Sequence, residues 1–123
     1  MHLIASAKEG KSLSDILRDF KKHTSKTLLK EILNNDKESR RSWMKWIFES
    51  AAKQNSNNKN YQFWQQDNRP VELSTNEMMD QRLAYLHNNP VMEGIVFEAE
   101  QYVYSSAINY AGGKGLLDVE FLD

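Results

Sequence analysis

Helical periodicity is the clearest feature of the first third of the chain. The residues that repeat at this spacing are Leu13, Ile16, Leu17, Phe20, Thr24, Thr27, Leu28 and Ile32. They fall on one face of an amphipathic helix, and basic residues fall on the other. Ser12 or Ser14 is placed to cap the first turn, and Asn34-Asn35-Asp36 ends the helix.

A second helix is predicted from about residue 39 to residue 53, where apolar residues again repeat every three or four positions. The side chains expected to face a core are Trp43, Trp46, Ile47 and Ala51. The polar run at residues 54–60, which is rich in asparagine, is typical of a loop.

A third helix carries the most distinctive polar residues. Ser74 and Glu77 have the spacing of a capping box, in which each side chain accepts a hydrogen bond from a free backbone amide at the start of the helix. The helix is predicted to continue to Asn88 and to stop at Pro90, because the residue before proline is disfavoured in helical geometry. Tyr85 lies near its carboxyl end.

Three short segments have the composition of strands. Residues 2–5 resemble the end of a buried strand, and residues 61–64 are aromatic and alternate in polarity. Residues 71–73 form a third extended candidate after Pro70. We therefore expect a mostly helical chain with roughly two to four short strands.

Composition places the chain among ordinary globular proteins. It has 123 residues, of which 40% are hydrophobic and 27% charged, and this length predicts a single domain over 1–123 with a tail at 112–123. It contains no cysteine, which excludes disulfides and thiolate metal sites. No apolar run approaches the roughly 18 residues of a membrane span, so we expect a cytoplasmic protein without a membrane partner.

Charge is unevenly distributed along the chain, although the net charge is only −1. Residues 8–30 contain seven basic side chains against three acidic ones, and acidic residues gather in 77–100 and in the tail. A basic segment of this kind permits a nucleic-acid-binding face. A solvated helix surface is the alternative interpretation.

Four short motifs occur in a recognisable order. They are Phe63-Trp64-Gln65, Tyr85-Leu86-His87-Asn88-Asn89-Pro90-Val91, Gly94-Ile95-Val96 and Tyr104-Ser105-Ser106-Ala107. In order and spacing they resemble the second half of the REP-associated tyrosine transposases. That group belongs to the single-tyrosine branch of the HUH transposases, which are named for a His-hydrophobic-His motif.

The first residues fit the same resemblance in part. Family members carry a strand with two metal-binding histidines, and His2 matches the second of them, whereas the first has no counterpart in this sequence. The leading strands of the family are also missing. The resemblance thus implies an α+β fold, mostly helical here. It would be an N-terminally truncated form of the family's ferredoxin-like fold of an antiparallel sheet with helices.

The resemblance implies covalent chemistry on DNA. In the family a tyrosine phenolate attacks a phosphodiester, forms a 5′-phosphotyrosine link and releases a 3′-hydroxyl, and the reverse step rejoins the strands. Tyr85 matches this nucleophile. His2 and Asn89 match positions at a divalent metal, Mg²⁺ or Mn²⁺, that polarises the phosphate. With the first histidine missing, we expect an impaired or inactive metal site.

The expected partner is hairpin or single-stranded DNA. The side chains expected to contact it are Arg18, Lys21, Lys22, Lys26 and Trp64. Exposed edges left by the missing strands predict a homodimer. Three hypotheses stay open from the sequence: an inactive transposase fragment, a DNA-binding module that does not cut, and an unrelated helical interaction domain.

Overall fold

A computed structural model of the chain describes residues 1–122, and they form short helical elements joined by irregular segments. The elements are α1 (Leu13–Asn34), α2 (Arg41–Lys53), α3 (Asn76–Met92), a 3₁₀ turn (Ala99–Gln101) and α4 (Ala107–Tyr110). Contacts divide the chain into two compact units. The α1–α2 unit is Ser6–Arg69, and the α3–α4 unit is Met1–Ala5 with Pro70–Asp123.

The α+β fold expected from the resemblance is wrong. Residues 1–122 are 48% helical and contain no strand, so the ferredoxin-like sheet is not formed. The three segments expected as strands, residues 2–5, 61–64 and 71–73, are irregular. Within residues 61–64 the rings of Phe63 and Trp64 pack against α2 and α1, and this explains their apolar character without a sheet.

The first two helices agree with the sequence prediction. The hydroxyl of Ser12 accepts from the amide of Asp15 at 3.4 Å, so Ser12 is the N-cap of α1 as expected. The helix ends at Asn34, within the predicted asparagine run. α2 begins two residues later than predicted and ends at Lys53 as predicted.

An aromatic segment holds the α1–α2 unit together. The amide of Gln62 donates to the carbonyl of Phe48 in α2 at 3.0 Å. Phe63 lies between Phe48 and Trp64, with ring centroids 5.2 Å and 5.5 Å away. The indole N–H of Trp64 donates to the hydroxyl of Thr24 in α1 at 2.8 Å. Residues 61–64 therefore connect both helices.

The ends of α3 differ from the prediction. Its N-cap is Thr75, whose hydroxyl accepts from the amide of Met78 at 3.2 Å, so the cap lies one residue after Ser74. The helix does not stop at Pro90 but continues through it to Met92. Its end is set at Gly94, which has φ of 71°.

The hydrogen bonds around Gly94 form a Schellman motif. The amide of Ile95 donates to the carbonyl of Pro90 at 2.9 Å, and that of Gly94 to the carbonyl of Val91 at 3.0 Å. Pro90 has no amide hydrogen to donate to the preceding turn, but its carbonyl accepts from the amide of Ile95. A proline in the last turn removes one helical hydrogen bond, and α3 continues past it to Met92.

Packing in the α3–α4 unit runs through the 3₁₀ turn, which contacts both α3 and α4. Pro90 and Ala107 are buried there. The tail returns over α4, where the hydroxyl of Tyr110 accepts from the amide of Leu122 at 2.9 Å and its ring meets Phe121. The other apolar side chains of the unit are half-buried or exposed. A single domain over 1–123 stays a prediction.

Candidate functional site

Tyr85 lies on the open face of α3. It is 58% exposed, so its phenol is accessible to a large ligand. Together with Ala84, Asn88, Asn89, Met92 and Glu93 it lines an open groove of about 450 Å³. Asn88 and Asn89 follow Tyr85 by about one helical turn, which places their amides along the same groove. The resemblance carried Tyr85 and Asn89 over from the family, and both line this groove.

His2 lies beside Tyr85, although the two residues are far apart in the sequence and belong to separate segments of the α3–α4 unit. Their rings meet edge to face with centroids 5.8 Å apart and planes at 90°. A perpendicular contact at this distance is a favourable aromatic geometry. Two residues that the resemblance assigns to one active site are therefore neighbours. Helical periodicity alone does not predict this contact.

A divalent metal does not fit the residues present. His2 offers one imidazole and Asn89 one amide oxygen, and neither is a carboxylate, the protein ligand through which Mg²⁺ is usually held. Within residues 1–122 no group of three histidine, aspartate or glutamate side chains is positioned to hold a metal ion. The groove carries Glu93, but no second carboxylate lines it in this part of the chain.

His87 has a packing role. Its Nε2 lies 2.9 Å from the Ser106 hydroxyl, and its ring meets that of Tyr110 edge-on with centroids 5.2 Å apart. Burial lowers the pKa of His87, because the charged imidazolium loses hydration there. His87 points away from the Tyr85 groove and links α3 to α4.

Two of the expected DNA contacts are occupied by neighbours in the α1–α2 unit. Arg18 pairs with Asp15 at 2.6 Å and with Asp19 at 3.0 Å, and these carboxylates raise the pKa of its guanidinium. The ammonium of Lys21 donates to the carbonyl of Gln65 at 3.1 Å and also to the side chain of Asn68. Neither cation is as available to a phosphate as the sequence implied.

The other two expected lysines lie on a solvent-facing stripe of α1. Lys22, Lys26 and Lys30 are exposed and follow one another at four-residue intervals, steps of about 6 Å along the helix. None of the three forms an ion pair within residues 1–122. Like charges at this spacing repel by about 0.2–0.5 kcal/mol per pair, so an anion on this lysine stripe relieves repulsion.

The tryptophans divide differently from the prediction. Trp64 is half-buried between Phe20 and Phe63 and uses its N–H on Thr24, so its contacts are structural; a DNA contact there stays a prediction. Trp43 and Trp46 were expected in a core, and this is wrong: they are 58% and 64% exposed. The buried residue of α2 is instead Ala52, which is 3% exposed.

The two units carry opposite charges, which the net value of −1 conceals. The α1–α2 unit contains 14 Lys and Arg against 8 Asp and Glu, a formal charge of +6. The α3–α4 unit contains 2 Lys and Arg against 9 Asp and Glu, a formal charge of −7. A polyanion is therefore attracted to the unit that carries the lysine stripe and repelled by the unit that carries Tyr85.

Comparisons with protein-family models, with curated proteins and with solved structures give no match to this chain. The likeness to tyrosine transposases therefore rests on the four motifs and on the neighbouring positions of His2 and Tyr85. None of the helices formed by residues 1–122 combines the length and apolar character needed to cross a membrane.

Proposed function

We propose that this chain is a DNA-binding protein of the tyrosine-transposase type, in which the nucleophile position is retained but its metal site is not. The observation that carries the proposal is the contact between the His2 and Tyr85 rings, 5.8 Å apart, at an open groove. The exposed phenol and the imidazole are the two groups that the family resemblance assigns to one site, although attack on a phosphodiester also needs a base or metal that activates the phenol. A chance match of motifs gives no reason for these two residues to meet.

DNA binding itself is assigned to the α1–α2 unit. Its formal charge of +6 favours a polyanion, and its lysine stripe presents three ammonium groups without acidic partners in the described chain. Lysines that neutralise phosphates release counterions, and this release supplies most of the affinity of non-specific DNA binding. The proposed ligand is hairpin DNA with single-stranded flanks, and the proposed location is the cytoplasm.

Strand cleavage is not part of the proposal. A phenol has an ordinary pKa near 10 and is mostly protonated at neutral pH, so it needs activation to attack phosphorus. His2 and Asn89 are too few to hold Mg²⁺ or Mn²⁺, and the α3–α4 unit has a formal charge of −7, which repels the approaching phosphate. Binding without cutting is therefore the expected activity.

The test mixes the protein with a labelled DNA hairpin that has unpaired flanks, in the presence of Mn²⁺. Two readouts are taken from one reaction: a mobility shift under native conditions, and a covalent adduct under denaturing conditions. Tyr85→Phe is the test variant. Tyr104→Phe is the matched control, because Tyr104 is also an exposed tyrosine of the α3–α4 unit.

The expected result is a salt-sensitive shift in all three proteins and no covalent adduct in any. An adduct in the wild type that persists in Tyr104→Phe and is lost in Tyr85→Phe would show that the site is complete, and would overturn the non-cutting assignment. The absence of a shift at low salt would overturn the proposal as a whole and favour an unrelated helical interaction domain.

Self-association is the second part of the proposal. Met92, Ile95 and Phe97 follow one another at the end of α3 with exposed side chains, and Phe97 is 94% exposed. Apolar side chains gathered in this way commonly mark an interface. We expect a homodimer in sedimentation equilibrium at micromolar concentration, weakened by Phe97→Ser. A well-folded monomer under these conditions would contradict it.

A further inference from the structure

Two tryptophans on α2 lack the packing that their size calls for. The helix directs Met44, Ile47, Phe48 and Ala52 inward, and these are buried or half-buried. Trp43 and Trp46 lie outside that face and are 58% and 64% exposed. Tryptophan is among the residues most often buried, at least in part, and two exposed indoles one turn apart are uncommon on a protein surface.

The neighbours of the two indoles are polar. Ser42, Lys45 and Lys53 are exposed on the same outer side of α2, and the ion pair between Lys45 and Glu49 is long, at 3.9 Å. A protein interface of stable size usually has a contiguous apolar centre. Two neighbouring aromatic faces bordered by hydroxyl and ammonium groups instead match the surface that binds an unpaired nucleic-acid strand, which combines aromatic side chains with positive charge.

Charge complementarity identifies the occupant. The two tryptophans belong to the unit whose formal charge is +6, and the lysine stripe of α1 belongs to the same unit. A ligand that joins flat aromatic faces to regularly spaced negative charges satisfies both features. Single-stranded DNA has this composition, since every nucleotide carries one base and one phosphate.

We propose that Trp43 and Trp46 form a platform on which unpaired bases of a DNA strand stack, while Lys22, Lys26 and Lys30 neutralise its phosphates. The two indoles are three residues apart on the helix, so their Cβ atoms are about 5–6 Å apart and both reach the same short stretch of strand. Every base has an aromatic face, so the platform tolerates any sequence. This inference rests on the proposed function and adds where the single strand binds.

The experiment compares two oligonucleotides of equal length: oligo-dT and an abasic strand with the same phosphates but no bases. Binding of the full chain to each is measured by fluorescence anisotropy at one fixed salt concentration. The test variants are Trp43→Ala, Trp46→Ala and the double variant. Tyr104→Ala is the control, because it removes an exposed aromatic side chain from the other unit.

The wild type is expected to bind oligo-dT more tightly than the abasic strand. Each tryptophan substitution should weaken oligo-dT binding roughly tenfold, in line with the stacking contribution of one base, and should leave abasic binding unchanged. Trp43→Phe and Trp46→Phe should retain most of the affinity because a phenyl ring also stacks. Circular dichroism and thermal unfolding should match the wild type, since neither side chain is packed.

Each contrary outcome points to a different failure. Equal wild-type affinity for the two strands, or oligo-dT binding unaffected by the double variant, would overturn the platform and leave DNA binding intact. Failure of the wild type to bind either strand would overturn the proposed function and the platform with it. A sedimentation shift from dimer to monomer in the double variant, with oligo-dT affinity unchanged, would assign the indoles to a contact between copies instead.

Discussion

Neutralising Lys22 and Lys26 should change the salt dependence of DNA binding by a predictable amount. Both are exposed, and neither forms an ion pair among residues 1–122, so each is free to displace a counterion from a phosphate. For single-stranded DNA each such contact contributes about −0.7 to the slope of log affinity against log salt concentration. The double variant Lys22→Gln/Lys26→Gln should therefore flatten the slope by about 1.4.

The same figure sets the size of the effect in a titration. Between about 50 and 200 mM salt, a slope contribution of 1.4 corresponds to a roughly sevenfold loss of affinity. Over this range the affinity of the wild type should therefore fall by about seven times more than that of the double variant. Fluorescence anisotropy with labelled oligo-dT measures this directly. Arg82→Gln/Lys114→Gln is the matched control, because it alters net charge equally but lies in the α3–α4 unit.

The control should keep the wild-type slope. An equal flattening in both double variants would mean that only net charge matters and that the lysine stripe is not a contact surface. An unchanged slope in Lys22→Gln/Lys26→Gln would mean that the strand is held elsewhere. Either result would refute the assignment of phosphate contacts to α1.

Three further predictions concern the scaffold. Thr24→Val removes the acceptor that lies 2.8 Å from the indole nitrogen of Trp64, and it should lower the free energy of unfolding in urea titrations by about 1–2 kcal/mol. Thr27→Val, at an exposed position of α1, is the control and should change this free energy little. Gly94→Ala forces an alanine to a φ of 71° and should cost about 1 kcal/mol by the same measurement, and Gly94→Asn should cost less. Because burial lowers the pKa of His87, the unfolded chain binds protons that the folded chain does not. Stability should then be full above the ordinary histidine pKa and fall as pH drops below it, and His87→Gln should reduce this dependence in urea titrations at several pH values. Stability unchanged by Thr24→Val or Gly94→Ala, or an equal pH dependence in His87→Gln, would contradict these reasons.

Local sequence signals predict α1, α2 and most of α3, but not the 3₁₀ turn or α4. Capping chemistry at Ser12 and the asparagine run after Asn34 fix α1, and both operate within a few residues of the helix ends. The predicted end of α3 is wrong, because the helix continues through Pro90 to Met92. Gly94 supplies the actual stop through its left-handed backbone, and a proline in the last turn loses only one hydrogen bond.

Contacts between residues far apart in the chain could not be predicted from the sequence. The aromatic alternation at residues 61–64 has the same appearance for a strand as for a segment packed on two helices, and only the contacts to Thr24 and Phe48 distinguish them. Trp43 and Trp46 were assigned to a core because their size makes burial the usual outcome. Their position on α2 relative to Ala52 decides otherwise, and helical spacing alone does not show which of two faces is covered.

The candidate site was predictable only through resemblance. Nothing in composition or periodicity singles out Tyr85 or pairs it with His2, whereas the motif set names both. The opposite charges of the two units were visible in the sequence only as a gradient, because the boundary at Arg69 depends on which residues contact one another. That boundary converts a nearly neutral chain into one cationic and one anionic body.

The most direct measurement is a titration of a labelled DNA hairpin with unpaired flanks by the intact chain at about 50 mM salt, repeated at about 200 mM. Saturable binding that weakens at the higher salt is the predicted result. No binding at the lower salt, even at protein concentrations of about 100 μM, where non-specific DNA binding is ordinarily measurable, would contradict a DNA-binding role.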